Sequence, residues 1–144
     1  MQSYIRLIFL FLSFLFSSLL LQSNIAGAEE EPIAPSYAYI ALEPDIITNY
    51  AGDNSKKLGY LQLTIEMMLD DPSKIGDLEH HAPLLRSLVI EIVGAKNEQQ
   101  IRSLTGREEI RRDILKRFRD VLIKETGSEI VKDVIFTKYL RQGG

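Results

Sequence analysis

The stretch "YLQLTIEMMLD", residues 60–70, sets Leu61, Leu63, Ile65, Met67 and Leu69 in alternation with Tyr60, Gln62, Thr64, Glu66 and Met68. In an extended chain successive side chains point to opposite faces, so a period of two gathers the first set on one face. Five large apolar side chains on one face require cover. The other face, carrying Gln62, Thr64 and Glu66, is polar enough to meet water or a partner. The stretch predicts a strand of a one-sided sheet backed by helices.

Immediately downstream the period changes. In "DDPSKIGDLEHHAPLLRSLVIEIVG" (70–94), Ile75, Leu78, Ala82, Leu85, Val89 and Ile92 recur at steps of three and four, which is one face of a helix. Asp71 can cap it, with Pro72 in the first turn where a missing N–H costs nothing. Pro83 predicts a kink, or a break near His81, and Gly94 predicts a C-terminal cap. "NEQQ" (97–100) has the form of a capping box opening a short helix to about Leu104. "TGRE" (105–108) reads as a second box, opening a long helix with Ile110, Ile114, Phe118, Val121 and Leu122 on one side and its end at Gly127. "VKDVIFTKYLRQ" (131–142) reads as a strand that supplies a partner for 60–69, because a sheet needs about three strands to stand alone. Upstream, "YAYIALEPDIITNY" (37–50) predicts a strand over 37–42, a turn or bulge at Pro44 and extended chain to about 49. Residues 51–59 read as a loop. The order is β, β, helix, short helix, long helix, β. The fold class is α+β: a small antiparallel sheet covered on one face by helices.

The chain has 144 residues, 45% apolar and 26% charged, with a formal net charge of −3. This suits one globular domain and lacks the basic imprint of a nucleic-acid binder. No cysteine is present, so neither a disulfide framework nor thiolate chemistry is available. Ahead of the domain, Arg6 precedes an apolar run from Leu7 to Leu21, and Ala26–Gly27–Ala28 precedes three glutamates. As a helix that run would reach roughly 22 Å, against a hydrocarbon core of roughly 30 Å. Residues 1–28 are read either as a signal peptide cleaved after Ala28 or as a retained membrane anchor. Residues 29–36 form a linker and 37–142 a domain outside the cytoplasm.

Chemistry-bearing constellations are sparse. His80 and His81 are adjacent, so on a helix they diverge by about 100° and cannot act as an i, i+4 zinc pair. The carboxylates fall in the linker (Glu29–Glu31), at a helix start (Asp70–Asp71) and in a first turn (Glu108–Glu109). No nucleophile elbow, phosphate-binding loop or dinucleotide fingerprint occurs. No catalytic, cofactor-binding or metal-binding residue is assigned, and no cofactor or small-molecule substrate is expected. Two surfaces stand out instead. One is the polar face of the strand, with Gln62, Thr64 and Glu66. The other is the basic face of the long helix, with Arg107, Arg111 and Arg112. The strand face reads as solvent-facing or as an assembly surface, and the helix face as solvated with i, i+4 pairs such as Glu108–Arg112 and Asp113–Arg117, or as a face toward a neighbouring subunit or membrane headgroups.

In order along 37–142, "YIALEPDIITNY", "GYLQLTIEMML", "HHAPLLRSLVIEIVG", "IRSLTGREEIRRDIL" and "VKDVIFTKYLRQ" resemble the flagellar basal-body-associated FliL family. The resemblance implies a non-enzymatic component with a stomatin-like (SPFH) domain on the periplasmic side of the inner membrane. It implies partners among the flagellar stator and basal-body proteins, and a homo-oligomeric ring. It also implies a part in flagellar rotation, swimming, swarming and chemotaxis. Without it, the same residues fit a soluble periplasmic binding or adaptor module.

Overall fold

The computed structural model describes residues 36–52 and 58–143. The expected signal or anchor segment, 1–28, and nearly all of the expected linker lie outside the described residues. Strand β3 (Leu58–Leu69) is the axis of a four-stranded antiparallel sheet. Its inward set, Leu61, Leu63, Ile65, Met67 and Leu69, is at most 1% exposed, as the alternation predicts. β4 (Val131–Gln142) pairs along one edge of β3 over Tyr60–Leu69, from Leu69↔Val131 to Tyr60↔Gln142. The opposite edge is shared. β1 (Ala38–Ala41) pairs with 66–69 and β2 (Ile46–Ala51) with 58–63.

The segment 37–50 thus holds two paired strands rather than one strand trailing into extended chain. Pro44 has no N–H for a ladder and interrupts the first strand at a cis Glu43–Pro44 bond. Alternation resumes past the turn, with Ile46, Thr48 and Tyr50 buried. In β4 the period of two fails in a different way. Register shifts opposite Thr64/Ile65 and Met68/Leu69 leave Thr137 and Lys132 as extra residues. Each bulge moves the inward set by one position. Val131, Val134, Phe136 and Tyr139 therefore face the helices, while Ile135 and Leu140 face out.

Three helices cover the inner face. A 3₁₀ turn (Pro72–Lys74) leads into α1 (Ile75–Gly94), and the Asp71 carboxylate caps the turn by accepting the Ser73 N–H at 2.9 Å. α1 runs unbroken through His81 and Pro83, contrary to the expected break. Leu78, Leu85, Leu88, Val89 and Val93 are buried on both sides of the proline, and this packing holds the helix together. Gly94 is not a left-handed cap. The helix ends at Ala95 in the right-handed region, and Lys96 O then accepts the Ala51 N–H at 3.3 Å.

α2 (Glu98–Arg102) opens with the full Asn97/Gln100 capping box. α3 (Leu104–Thr126) starts earlier than the TGRE reading places it. Ser103 is the cap, its hydroxyl accepting the Gly106 N–H at 3.0 Å, and Thr105 lies inside the first turn. Ser103 is extended because α2 has just ended there, so one residue closes one helix and opens the next. Gly106 is required at this junction, since a Cβ would lie 2.0 Å from Gln100 O. Ile110, Ile114, Phe118 and Leu122 form the buried stripe of α3, and Gly127 ends it at φ 78°. At the far end of the sheet the Tyr50 ring crosses its strand partner Gly59, where a Cβ would lie 2.1 Å from the ring.

Candidate functional site

The sheet presents one helix-free face. Even-numbered residues of β3 point there, together with their ladder partners on the neighbouring strands. Gln62 and Thr64 converge on Asp45, in the turn before β2. Gln62 Nε2 donates to Asp45 Oδ2 at 2.7 Å, Thr64 Oγ1 to Oδ1 at 2.6 Å, and Lys138 Nζ to Oδ2 at 2.7 Å. The bonds from Lys138, Thr64 and Gln62, in that order of weight, hold the Asp45 carboxyl at about 2, against an ordinary 3.8. The cluster clasps the β1–β2 turn, β3 and β4 across one face. Glu66 lies farther along, between Ala41 and Ile135 in the ladder, and joins no ion pair among the described residues. On either side of the clasp the face is apolar and open. Ile47, Tyr60 and Leu140 border a depression at one end, and Tyr39 and Ile135 lie at the other.

The basic residues of α3 lie on the opposite side of the sheet, so the two expected surfaces do not form one site. Nor do the three arginines share a role. The Arg107 guanidinium sits 4.9 Å from the Tyr139 ring centroid and 5.9 Å from that of Phe136. Its Nη2 also donates to Phe136 O at 3.4 Å. Arg111 makes a two-pronged pair with Glu108 (2.7 and 2.9 Å), meets Asp133, and donates to Val134 O at 3.2 Å. Those carboxylates raise the Arg111 pKa, Glu108 contributing most, and Arg111 in turn lowers that of Glu108. Arg112 faces solvent at 63% exposure, with Glu108 3.8 Å away. The expected Asp113–Arg117 pair is replaced by pairs to other elements: Asp113 with Lys96 of the α1–α2 connection (2.7 Å) and Arg117 with Glu91 of α1 (3.5 Å).

Arg119 completes a pattern that residue types alone did not reveal. Its Nε donates to Val131 O at 3.0 Å and its Nη2 to Lys132 O at 2.6 Å. Arg107, Arg111 and Arg119 share one stripe of α3, at steps of four and eight. They bond main-chain carbonyls along β4, an edge strand of the kind proteins commonly blunt against uncontrolled pairing. The spacing was readable in the sequence, but nothing there connected it to a strand edge.

A second polar cluster was also missed. Glu98, 3% exposed, accepts Arg141 Nη1 at 2.8 Å through Oε1, while Oε2 has no hydrogen-bond partner. The Tyr50 hydroxyl donates to Gly143 O at 3.1 Å, and burial raises its pKa. Arg141 faces inward here opposite Leu61, past the second bulge of β4, which restores the parity that the first had shifted.

His80 and His81 meet edge to face at 5.0 Å, and His81 Nδ1 lies 2.6 Å from Asp77 O. Among the described residues no group of three or more His, Cys, Asp or Glu is placed to hold a metal ion. No described helix is long and apolar enough to cross a membrane.

Comparison with known proteins identifies a family and a curated relative. The family model "Flagellar basal body-associated protein FliL" matches residues 39–142, which takes in every element of the fold from β1 to β4. A curated relative, "Flagellar protein FliL" of Aquifex aeolicus, is 29% identical over 101 residues. That alignment covers 70% of this chain and 59% of the relative, so the chain spans less than two thirds of the relative's length.

Proposed function

Because the chain belongs to the family of flagellar basal body-associated protein FliL, we propose that it acts at the periplasmic side of the inner membrane, on the flagellar stator. In this reading it is a non-enzymatic component supporting flagellar rotation, and with it swimming, swarming and chemotaxis. The domain is classed as stomatin-like and assembles as a homo-oligomeric ring beside stator and basal-body proteins. Residues 1–28 direct export or anchor the domain.

The observation that carries the reading is the family match across the entire ladder and helical layer, residues 39–142. The surfaces support it secondarily. Two dissimilar patches lie on opposite sides of one sheet: the Asp45 clasp with its apolar flanks, and the solvent-facing part of α3 around Arg112. Head-to-tail assembly, which closes into rings, requires two different patches.

Deletion of the gene, with complementation by the full chain, tests the reading. The expected result is intact filaments with impaired swimming or swarming, and an export-competent fluorescent fusion at the flagellar base. Unaltered motility in liquid and on surfaces, together with a diffuse fusion, would reject it. In-cell crosslinking tests the ring separately, and a monomer beside intact motors would eliminate that part.

A further inference from the structure

The two margins of the sheet are finished differently. Along β4, three arginines of α3 bond the main-chain carbonyls. Along the other margin, Arg86 of α1 donates to the carbonyls of Leu42, Pro44 and Asp45, and Lys96 O takes the Ala51 N–H. β1 has no such cover. The Leu42 N–H donates to Ile65 O at 2.8 Å, which sets the parity of that strand. In an antiparallel pair alternate residues bond the partner, so the N–H and C=O groups of Tyr39 and Ala41 point away from β3. Among the described residues nothing bonds them.

Beside these free groups a groove of 420 Å³ opens between β1 and the first half of α1. Ile40, Leu42, Met67, Leu78 and Ala82 line its apolar interior. At its rim stand Glu43 and Glu79, both exposed and neither in an ion pair among the described residues.

We propose that this margin is a strand-addition site for an extended peptide segment of a partner protein, one in which apolar and basic side chains alternate. The segment pairs with Tyr39 and Ala41 as a short fifth strand. Its inward apolar side chains enter the groove, its outward lysine or arginine side chains meet Glu43, and a long basic side chain at the end of the segment reaches round the rim to Glu79. Main-chain bonds supply the attachment, while the groove and the two carboxylates supply the selectivity. A second copy of this chain is the poorer occupant. Residues 36–44 of a second copy offer no lysine or arginine to meet Glu43 and Glu79. Nothing in this geometry depends on the cellular location of the domain.

The test is an amide-shift titration of the ¹⁵N-labelled full chain in detergent micelles. The probe is a capped hexapeptide of alternating lysine and valine, with a glutamate–valine hexapeptide as control. Shifts and slowed amide exchange are expected at Tyr39 and Ala41, with neighbouring shifts at Leu78 and Ala82. The control peptide is expected to give none. Glu43→Gln with Glu79→Gln is expected to weaken binding at least fivefold. Ala41→Pro removes an outward N–H without touching the β3 ladder, so it is expected to abolish binding with an unchanged near-ultraviolet spectrum. Should Ala41→Pro unfold the domain, the double glutamine variant, altered only at exposed positions, still decides. Shifts confined to the helix-free face, equal response to the two peptides, unchanged affinity in the double variant, or no response at millimolar peptide would each overturn the proposal.

Discussion

Gly59→Ala adds one methyl group at the most constrained contact in the sheet. The new Cβ would lie 2.1 Å from Tyr50 Cζ and 2.4 Å from its hydroxyl oxygen. Carbon atoms prefer roughly 3.5–4.0 Å, so the overlap is about 1.5 Å and the ring must move. Tyr50 is 1% exposed and its hydroxyl is held by Gly143 O, so movement strains the core and breaks that bond. Overpacking of this kind costs roughly 1–3 kcal/mol. The lost hydrogen bond adds roughly 0.5–1.5 kcal/mol. Alanine returns about 0.4–1 kcal/mol by restricting the unfolded chain. The net expectation is a destabilisation of about 2 kcal/mol, or a melting point lower by about 10 °C for a domain of this size. Urea titration of the full chain, followed by backbone circular dichroism, measures it. Tyr50→Leu supplies the decisive second arm, because it removes the atoms that collide. Together the two substitutions are expected to cost less than the sum of their separate effects, with a coupling of about 1–2 kcal/mol. Strict additivity, or a Gly59→Ala variant within about 0.5 kcal/mol of the parent, would refute the packing argument.

Arg119→Gln leaves the Val131 and Lys132 carbonyls without their guanidinium donor, and a loss of about 1–2 kcal/mol is expected. Sedimentation should also show greater self-association through the bared edge of β4. Asp45 has a depressed carboxyl pKa, so its contribution to stability is complete above the unfolded value near 4 and is lost as pH falls toward about 2. A ¹³C carboxyl titration should place its midpoint near 2, and Asp45→Asn should flatten the stability profile across that window. A midpoint at the ordinary value would contradict the clasp. Ser103→Ala should cost about 1 kcal/mol in a chemical melt and Thr105→Ala close to nothing, because only the Ser103 hydroxyl caps α3. Equal effects would return the cap to Thr105.

Where a residue's role follows from its immediate neighbours, the sequence was sufficient. Alternation in 60–69 identified the buried face of β3 completely. Asn97 with Gln100, Asp71 before Pro72, and Gly127 after the last apolar step of α3 all mark local main-chain needs, and each stands where expected. Errors arose where a remote contact overrode a local signal. Pro83 failed to break α1 because apolar side chains on both sides of it pack against the core. Ser103 displaced Thr105 because α2 ends at Arg102. The outward turn of Ile135 depends on the bulge at Lys132, which only the register against β3 defines. For the surfaces the limit was the same. Gln62, Thr64 and Glu66 do share a face, but the residue that gathers Gln62 and Thr64 is Asp45, just beyond a proline turn. Arg107 and Arg111 read as solvated or assembly-surface charges, yet they bond the chain's own strand.

The pairing of β3 with β4 also has a kinetic side. Tyr60 meets Gln142 only after the chain between them, which contains all three helices, has doubled back. The helices can form from contacts near in sequence, but this ladder must close a long loop, with its entropic cost, before any rung is gained. Folding speed is therefore governed by that closure, and substitutions that loosen α3 against β4 should slow refolding as well as hasten unfolding. Until closure, one long edge of β3 stands unpaired with its apolar face only partly covered, and in that interval the molecule is most exposed to aggregation.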